Sequence, residues 1–204
     1  MPLRNPDLHG NVPDTCPAAL LLIDVINDLE FDGGDALLEQ ALPMAQALRA
    51  LKARARDAGI PSIYINDNFG MWQSDFHRVV RHCLREGVRG RPVAELLLPA
   101  QDDYFVLKPK HSGFFNTSLD ILLRYLRAQT LILAGMAGNI CVLFTANDAY
   151  MRDFDLVVPQ DCVASSDPEA NGQALALMRR YLKADTRPAA ELDLPALAAG
   201  RGRE

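Results

Sequence analysis

The chain has 204 residues, with 21 Lys and Arg against 26 Asp and Glu, a formal net charge of −5, and 49% hydrophobic residues. A globule of this length buries about 70% of its unfolded-chain surface, so one domain can hold its core without disulfides or metal, and the composition excludes collagen, a disulfide scaffold and a disordered chain. The acidic balance argues against nucleic acid or an anionic membrane as main partner, because both recruit positive surface.

Residues 1–17 read as an irregular arm rich in Pro, Asn and Asp, with no apolar run of the kind a signal peptide carries. Ala18-Ala19-Leu20-Leu21-Leu22-Ile23 does not alternate, which predicts a strand buried on both faces, ended by Asp24. This longest unbroken apolar stretch is far short of the ~20 residues of a membrane span. Apolar residues at 37, 41, 44, 48, 51 and 55 predict a helix, stopped by Gly59 and Pro61. Pro61 to Asn66 is a second strand, and Asp67 to Trp72 a loop. Arg78, Arg81 and Arg85 share one face of a short helix; with Arg89 and Arg91 they read as a solvated face rather than a carboxylate site.

Tyr104 to Leu107 is a third strand, ending at Lys108-Pro109. Thr117 is placed to cap a helix carrying Leu119, Leu122, Leu123 and Leu126. Thr130 to Gly135 is a fourth strand, followed by a helix from about Asn139 to Arg152, a fifth strand at Leu156 to Val158, a long helix from Pro168 to Leu182, and a last short strand within Thr186 to Leu192. Strands alternating with helices indicate an α/β fold with a parallel sheet covered on both faces. No composition break divides it, so residues 18–192 form one domain and 193–204 a flexible tail. Neither GxGxxG nor GxxxxGK[ST] occurs, which argues against a dinucleotide, P-loop or flavodoxin-like nucleotide site.

Cys16, Cys83, Cys141 and Cys162 are scattered, with no CxxC and no metal-ligand spacing. Reduced thiols and the cytoplasm are the expectation, and three of the four read as inert. In open parallel sheets ligands bind at the carboxyl ends of the strands. Asp24 lies at the end of strand one, Lys108 at the end of strand three and Cys141 just past strand four, so a carboxylate, an ammonium and a thiol converge on one sheet edge. Gly135 to Cys141 is a small-residue turn into a helix; with Asn139 as cap, Cys141 falls in the first turn, where the helix dipole and Lys108 favour a thiolate. A fall of about two units from a thiol pKa of ~8.5 would make the thiolate the majority form at pH 7, a differential stabilisation of about 2.7 kcal/mol.

Asp24-Val25-Ile26-Asn27-Asp28-Leu29, Lys108-Pro109-Lys110-His111-Ser112-Gly113-Phe114, and Gly135 to Val142 with Thr145-Ala146 and Asp148-Ala149 resemble, in order, the motifs of the isochorismatase-like cysteine hydrolases. That family includes nicotinamidases and N-carbamoyl amidohydrolases, and the likeness runs from about residue 18 to 182. The resemblance implies a Rossmann-like three-layer α/β/α sandwich around a six-stranded, mostly parallel sheet, and a triad of Asp24, Lys108 and Cys141. It implies a cis Met136–Ala137 peptide with the Ala137 and Cys141 N–H groups as oxyanion hole. It further implies hydrolysis of a small amide, ureide or carbamoyl compound through a Cys141 thioester, and a homo-oligomer, dimer or tetramer. The alternative is a member of the fold whose Cys141 is only a redox-reactive thiol or part of a binding site. Ile26 stands where the family usually has Gln, and Leu29 where it has Phe. Phe69 stands where nicotinamidases carry a metal-binding His, which argues against a metal and against nicotinamidase activity; no cofactor is expected. Phe31, Phe69, Trp72, Ser112, Phe114 and Met136 lie near strand ends and are candidates to line the substrate pocket.

Overall fold

A computed structural model describes residues 15–68 and 75–200. Six strands form one parallel sheet: β1 (Ala18–Ile23), β2 (Ser62–Asp67), β3 (Tyr104–Lys108), β4 (Thr130–Met136), β5 (Asp155–Val157) and β6 (Val163–Ala164). Their order is β3-β2-β1-β4-β5, with β6 pairing β4 beyond β5 at Gly135 and Met136. The unbroken apolar run makes β1 the central strand, wholly buried between β2 and β4. Its side chains alternate between two cores. Ala18, Leu20 and Leu22 join the cluster under α1 (Gly34–Asp57), while Ala19, Leu21 and Ile23 join one covered by α4 (Leu119–Leu126), α5 (Leu143–Tyr150) and α6 (Pro168–Tyr181). These are the three layers of an α/β/α sandwich.

Helix α1 buries Leu37, Ala41, Met44, Leu48, Leu51 and Ala55, the spacing that predicted it. Each fully buried Leu there stabilises the fold by roughly 1.5–3 kcal/mol. The helix ends in a Schellman turn: Gly59, at φ 75, sends its N–H to the Arg56 carbonyl, and the Ile60 N–H bonds the Ala55 carbonyl at 2.8 Å. Short helices α2 (Phe76–Cys83) and α3 (Arg91–Leu96) fill the connection from β2 to β3; the arginine run carried no apolar period from which α3 could be read.

Two expectations near the carboxyl terminus need correction. Thr186 to Leu192 holds a 3-10 turn at Ala189–Glu191, and the sixth strand is Val163–Ala164 instead. Two residues of strand are too short to show a period. The segment 193–204, expected to be a flexible tail, contains α7 (Leu194–Ala199), whose first turn is capped by the Asp193 carboxylate accepting the Ala196 N–H at 3.0 Å. Leu194 is buried against α1, a tertiary anchor that local sequence does not reveal. Among the described residues no helix is long and apolar enough to cross a membrane.

The direction of winding reverses between β1 and β4, since β2 and β3 lie to one side and β4 to β6 to the other. A crevice opens outside the carboxyl ends of strands at such a point. Asp24 leaves β1 there, and the chain leaving β4 carries Cys141.

Candidate active site

Three strand ends build the site. Asp24 follows β1 in a left-handed conformation, φ 52, with its backbone N–H bonded to the Ile65 carbonyl at 2.8 Å. Asp67, the last residue of β2, lies in register with Lys108, the last of β3. The Asp67 N–H donates to Asp24 Oδ1 at 2.8 Å, while Lys108 Nζ crosses beneath β2 to reach Asp24 Oδ2 at 2.9 Å and Asp67 Oδ2 at 3.5 Å. The same ammonium lies 3.5 Å from Cys141 Sγ, and the thiol hydrogen-bonds the Asp24 carboxylate. Lys108 is 0% exposed and Asp24 5%. A buried lysine with no charge partner would surrender its proton; here three acidic groups face it.

A glycine and a π turn place the thiol. Gly135, at φ 118, lies beside β1, where a Cβ would sit 2.1 Å from the Ile23 carbonyl oxygen, so only glycine lets β4 approach the strand that carries Asp24. The Met136–Ala137 peptide is cis. From Ala137 the chain enters a π turn, Gly138–Val142, closed by the Val142 N–H on the Ala137 carbonyl at 3.1 Å, and then continues as α5. The expected helix from Asn139 therefore begins differently. Asn139 is no side-chain cap; its N–H donates to Ser165 Oγ at 3.2 Å, and Ser165 donates to Asn171 Oδ1 at 3.0 Å.

The loop after β3 is bound to the thiol's helix by two links. Thr145, fully buried, accepts the Gly113 N–H at 3.0 Å and donates to the Cys141 carbonyl at 2.7 Å. Ser112 donates to Asp148, whose carboxylate also pairs with Arg152 at 2.9 Å. On the other flank, the Asp24 loop is held by the Gly90 N–H on the Asp28 carbonyl, Arg89 on the Leu29 carbonyl, and His82 Nε2 at 2.9 Å from Asp28. Ile26 and Leu29, the two departures from the family pattern, are both buried core residues.

The electrostatics reverse one expectation. Burial raises the Asp24 carboxyl above its ordinary value, against the pull of the Lys108 ammonium and the hydrogen bonds from Cys141 and Asp67. Burial lowers Lys108, but Asp24, Cys141 and Asp67 outweigh it and hold the ammonium above its usual range. The Cys141 thiol, expected to be acidified, is pushed up to about 12, first by burial and then by the Asp24 carboxylate, against Lys108. The sequence reading weighed the helix end and the cation but not a carboxylate in contact with the sulfur. The site therefore holds a protonated thiol in contact with the Asp24 carboxyl group, which the buried Lys108 ammonium faces.

The structure brings Asp24, Lys108 and Cys141 together. Ser112 is committed to Asp148 and to the Phe114 N–H. Phe114 is buried, packing on Phe154 beneath the Arg152 guanidinium, so it serves the core rather than the mouth of a pocket. The Met136 side chain belongs to the cluster under α1. Phe31 is half exposed in the loop before α1, and its carbonyl accepts the Gly34 N–H. Phe69 and Trp72 lie outside the described residues. Two site residues carried no signal of their own in the sequence. Asp67 ends a strand beside the expected carboxylate, and His111, inside a quoted motif, places Nδ1 3.9 Å from Cys141 Sγ. Among the described residues no three His, Cys, Asp or Glu side chains gather to hold a metal.

A sequence model of the isochorismatase domain matches residues 18–187. The uncharacterised isochorismatase family protein YaaI of Bacillus subtilis is 44% identical over 167 residues, covering 82% of this chain and 91% of that protein. The ureidoacrylate amidohydrolase RutB of Cronobacter sakazakii is 28% identical, covering 77% and 78%. Among solved structures, the N-carbamoylsarcosine amidase of Thermoplasma acidophilum superposes with a TM-score of 0.65 at 25% identity, covering 86% of this chain and 98% of that one.

Proposed function

The chain belongs to the isochorismatase family of hydrolases, and on that premise we propose that it cleaves a C–N bond of a small amide, ureide or carbamoyl compound through a Cys141 thioester. The observation that carries the reading is the contact of one thiol with a buried carboxylate and a buried ammonium, at 3.5 Å from Lys108 Nζ, which itself lies 2.9 Å from Asp24. RutB and the carbamoylsarcosine amidase support the bond type.

Cys141 Sγ attacks the carbonyl carbon as its proton passes to Asp24. The carbonyl oxygen takes up negative charge against the N–H groups of Ala137 and Cys141, whose donation there lowers the barrier only if it strengthens in the transition state. The C–N bond then breaks, and Asp24 returns the proton to the leaving nitrogen. Water hydrolyses the thioester. Lys108 favours the charged form of Asp24 and faces the sulfur when it carries charge. A thiol pushed up to about 12 suits this sequence, because its proton leaves during attack.

The mechanism needs Cys141 reduced, which suits the cytoplasm; all four cysteines are free. Self-association is part of the proposal. Ile121 and Tyr125 on α4 and Phe144 and Tyr150 on α5 are exposed apolar side chains in one helical layer. Sedimentation should give a dimer or tetramer, and a monomer at micromolar concentration would contradict this. The test of activity is release of ammonia or amine from a panel of primary amides, ureides and N-carbamoyl amino acids. Wild type should turn over at least one member that Cys141→Ala does not; equal rates in both overturn the reading.

A further inference from the structure

The proposed acylation uses the carboxylate of Asp24. Asp24 and Lys108 meet the sulfur from the buried side, and both Asp24 oxygens are engaged, one by the Asp67 N–H and one by Lys108. Water that attacks the thioester arrives from the open side. Among the described residues His111 is an exposed titratable group beside the sulfur, with Nδ1 3.9 Å from Cys141 Sγ, within the reach of a hydrogen bond to sulfur.

His111 is not a loosely hung surface side chain. Its ring packs on Phe144 of α5, with centroids 5.6 Å apart and planes tilted by 57°. Its backbone neighbour Ser112 is tied to Asp148, and Gly113 to Thr145, so the loop that carries the imidazole is fastened to the helix that follows the thiol. Three contacts thus hold an exposed imidazole beside the sulfur.

We propose that His111 is the proton-transfer group of thioester hydrolysis, a role that rests on the thioester reading above. The imidazole takes a proton from the attacking water as the water oxygen bonds the acyl carbon. The C–S bond then breaks, and its electron pair stays on sulfur beside the Lys108 ammonium. The imidazolium passes its proton to that sulfur, and the acid leaves. One water is consumed, and the thiol, the imidazole and the Asp24 carboxylate all return to their starting states. Asp24 thereby serves the first half of the cycle and His111 the second.

The probe is p-nitrophenyl acetate, whose leaving group departs without needing a proton, so a burst of p-nitrophenolate reports acylation and the steady rate reports deacylation. His111→Ala should keep the burst amplitude and rate, which also shows that the site is folded, while the steady rate falls by about 100-fold or more, the usual contribution of a positioned acid–base group. Added imidazole should restore part of the steady rate, which it would not do for a merely structural loss. An unchanged steady rate in His111→Ala overturns the proposal. So does a slowed burst with a raised KM and no rescue by imidazole, which would make His111 a substrate-binding group. The underlying reading fails separately: it falls if p-nitrophenolate release persists unchanged in Cys141→Ala.

Discussion

Lys108→Met removes the only charge from a side chain that keeps its length and stays buried. In the wild type its Nζ lies 2.9 Å from Asp24 Oδ2. At an effective dielectric constant of about 20 the gross attraction at that distance is about 6 kcal/mol. Much of it offsets the desolvation of the two ions. Breaking such a pair from one side is nevertheless costly, because the remaining ion stays buried, and a loss of about 3–5 kcal/mol is expected. Asp24→Asn should cost less, since Lys108 keeps Asp67 at 3.5 Å. The double variant should recover at least about 1.5 kcal/mol relative to the sum of the singles, as coupled neighbours do. Urea unfolding at pH 7 and fixed protein concentration measures all four proteins. With a slope of about 2 kcal/mol per molar, Lys108→Met should lower the midpoint by roughly 1.5–2.5 M. A shift under about 0.5 M, or singles that add to the double, would refute the claim that this pair is a coupled buried ion pair.

Alkylation of Cys141 by iodoacetamide should be slow at pH 6–7 and still rising above pH 9, because the thiol is pushed up to about 12; a plateau near neutrality would contradict this. The same displacement links to stability. Cys141 and Cys83 both hold their protons more tightly when folded, at about 12 against an ordinary 9.0, so their contribution is full below about pH 9 and is lost as pH climbs through 12. Melting temperature should therefore drop across that window, and a flat profile would be the contrary result. Thr145→Val keeps the shape but strands the Gly113 N–H, so it should cost about 1–3 kcal/mol and slow turnover more than it raises KM; an unaltered kcat would show that the link to Cys141 is not needed. Gly135→Ala puts a Cβ 2.1 Å from the Ile23 carbonyl oxygen and should give no soluble folded protein; a well-folded variant would show that β4 can move away from β1.

The parallel sheet was legible because its inner strands are unbroken apolar blocks. β1 falls on the residues predicted, and β2 and β4 within one residue of them, since a strand buried on both faces leaves no choice of period. Strand β5 also lies within one residue of its expected place, whereas β6, α3 and α7 hold through tertiary contacts that a window of sequence does not contain. The convergence of Asp24, Lys108 and Cys141 was legible from strand ends alone, since the topology of a parallel sheet carries them to one edge. What strand ends cannot give is distance. Burial of the sulfur, and then the Asp24 carboxylate beside it, outweigh the cation and push the thiol up rather than down. Ser112 and Phe114 sat in the right motif, but their partners Asp148 and Phe154 lie tens of residues away and decide that they support the loop instead of lining the pocket.

The central claim is a covalent acyl group on Cys141. Rapid acid quench of the protein with an amide that it turns over, followed by intact-mass and peptide analysis, reads it directly. The account predicts a mass increase equal to the acyl fragment, carried by the peptide containing Cys141, appearing before product and absent from Cys141→Ala. Turnover with no adduct at any quench time in wild type, or an adduct on another residue, would contradict it.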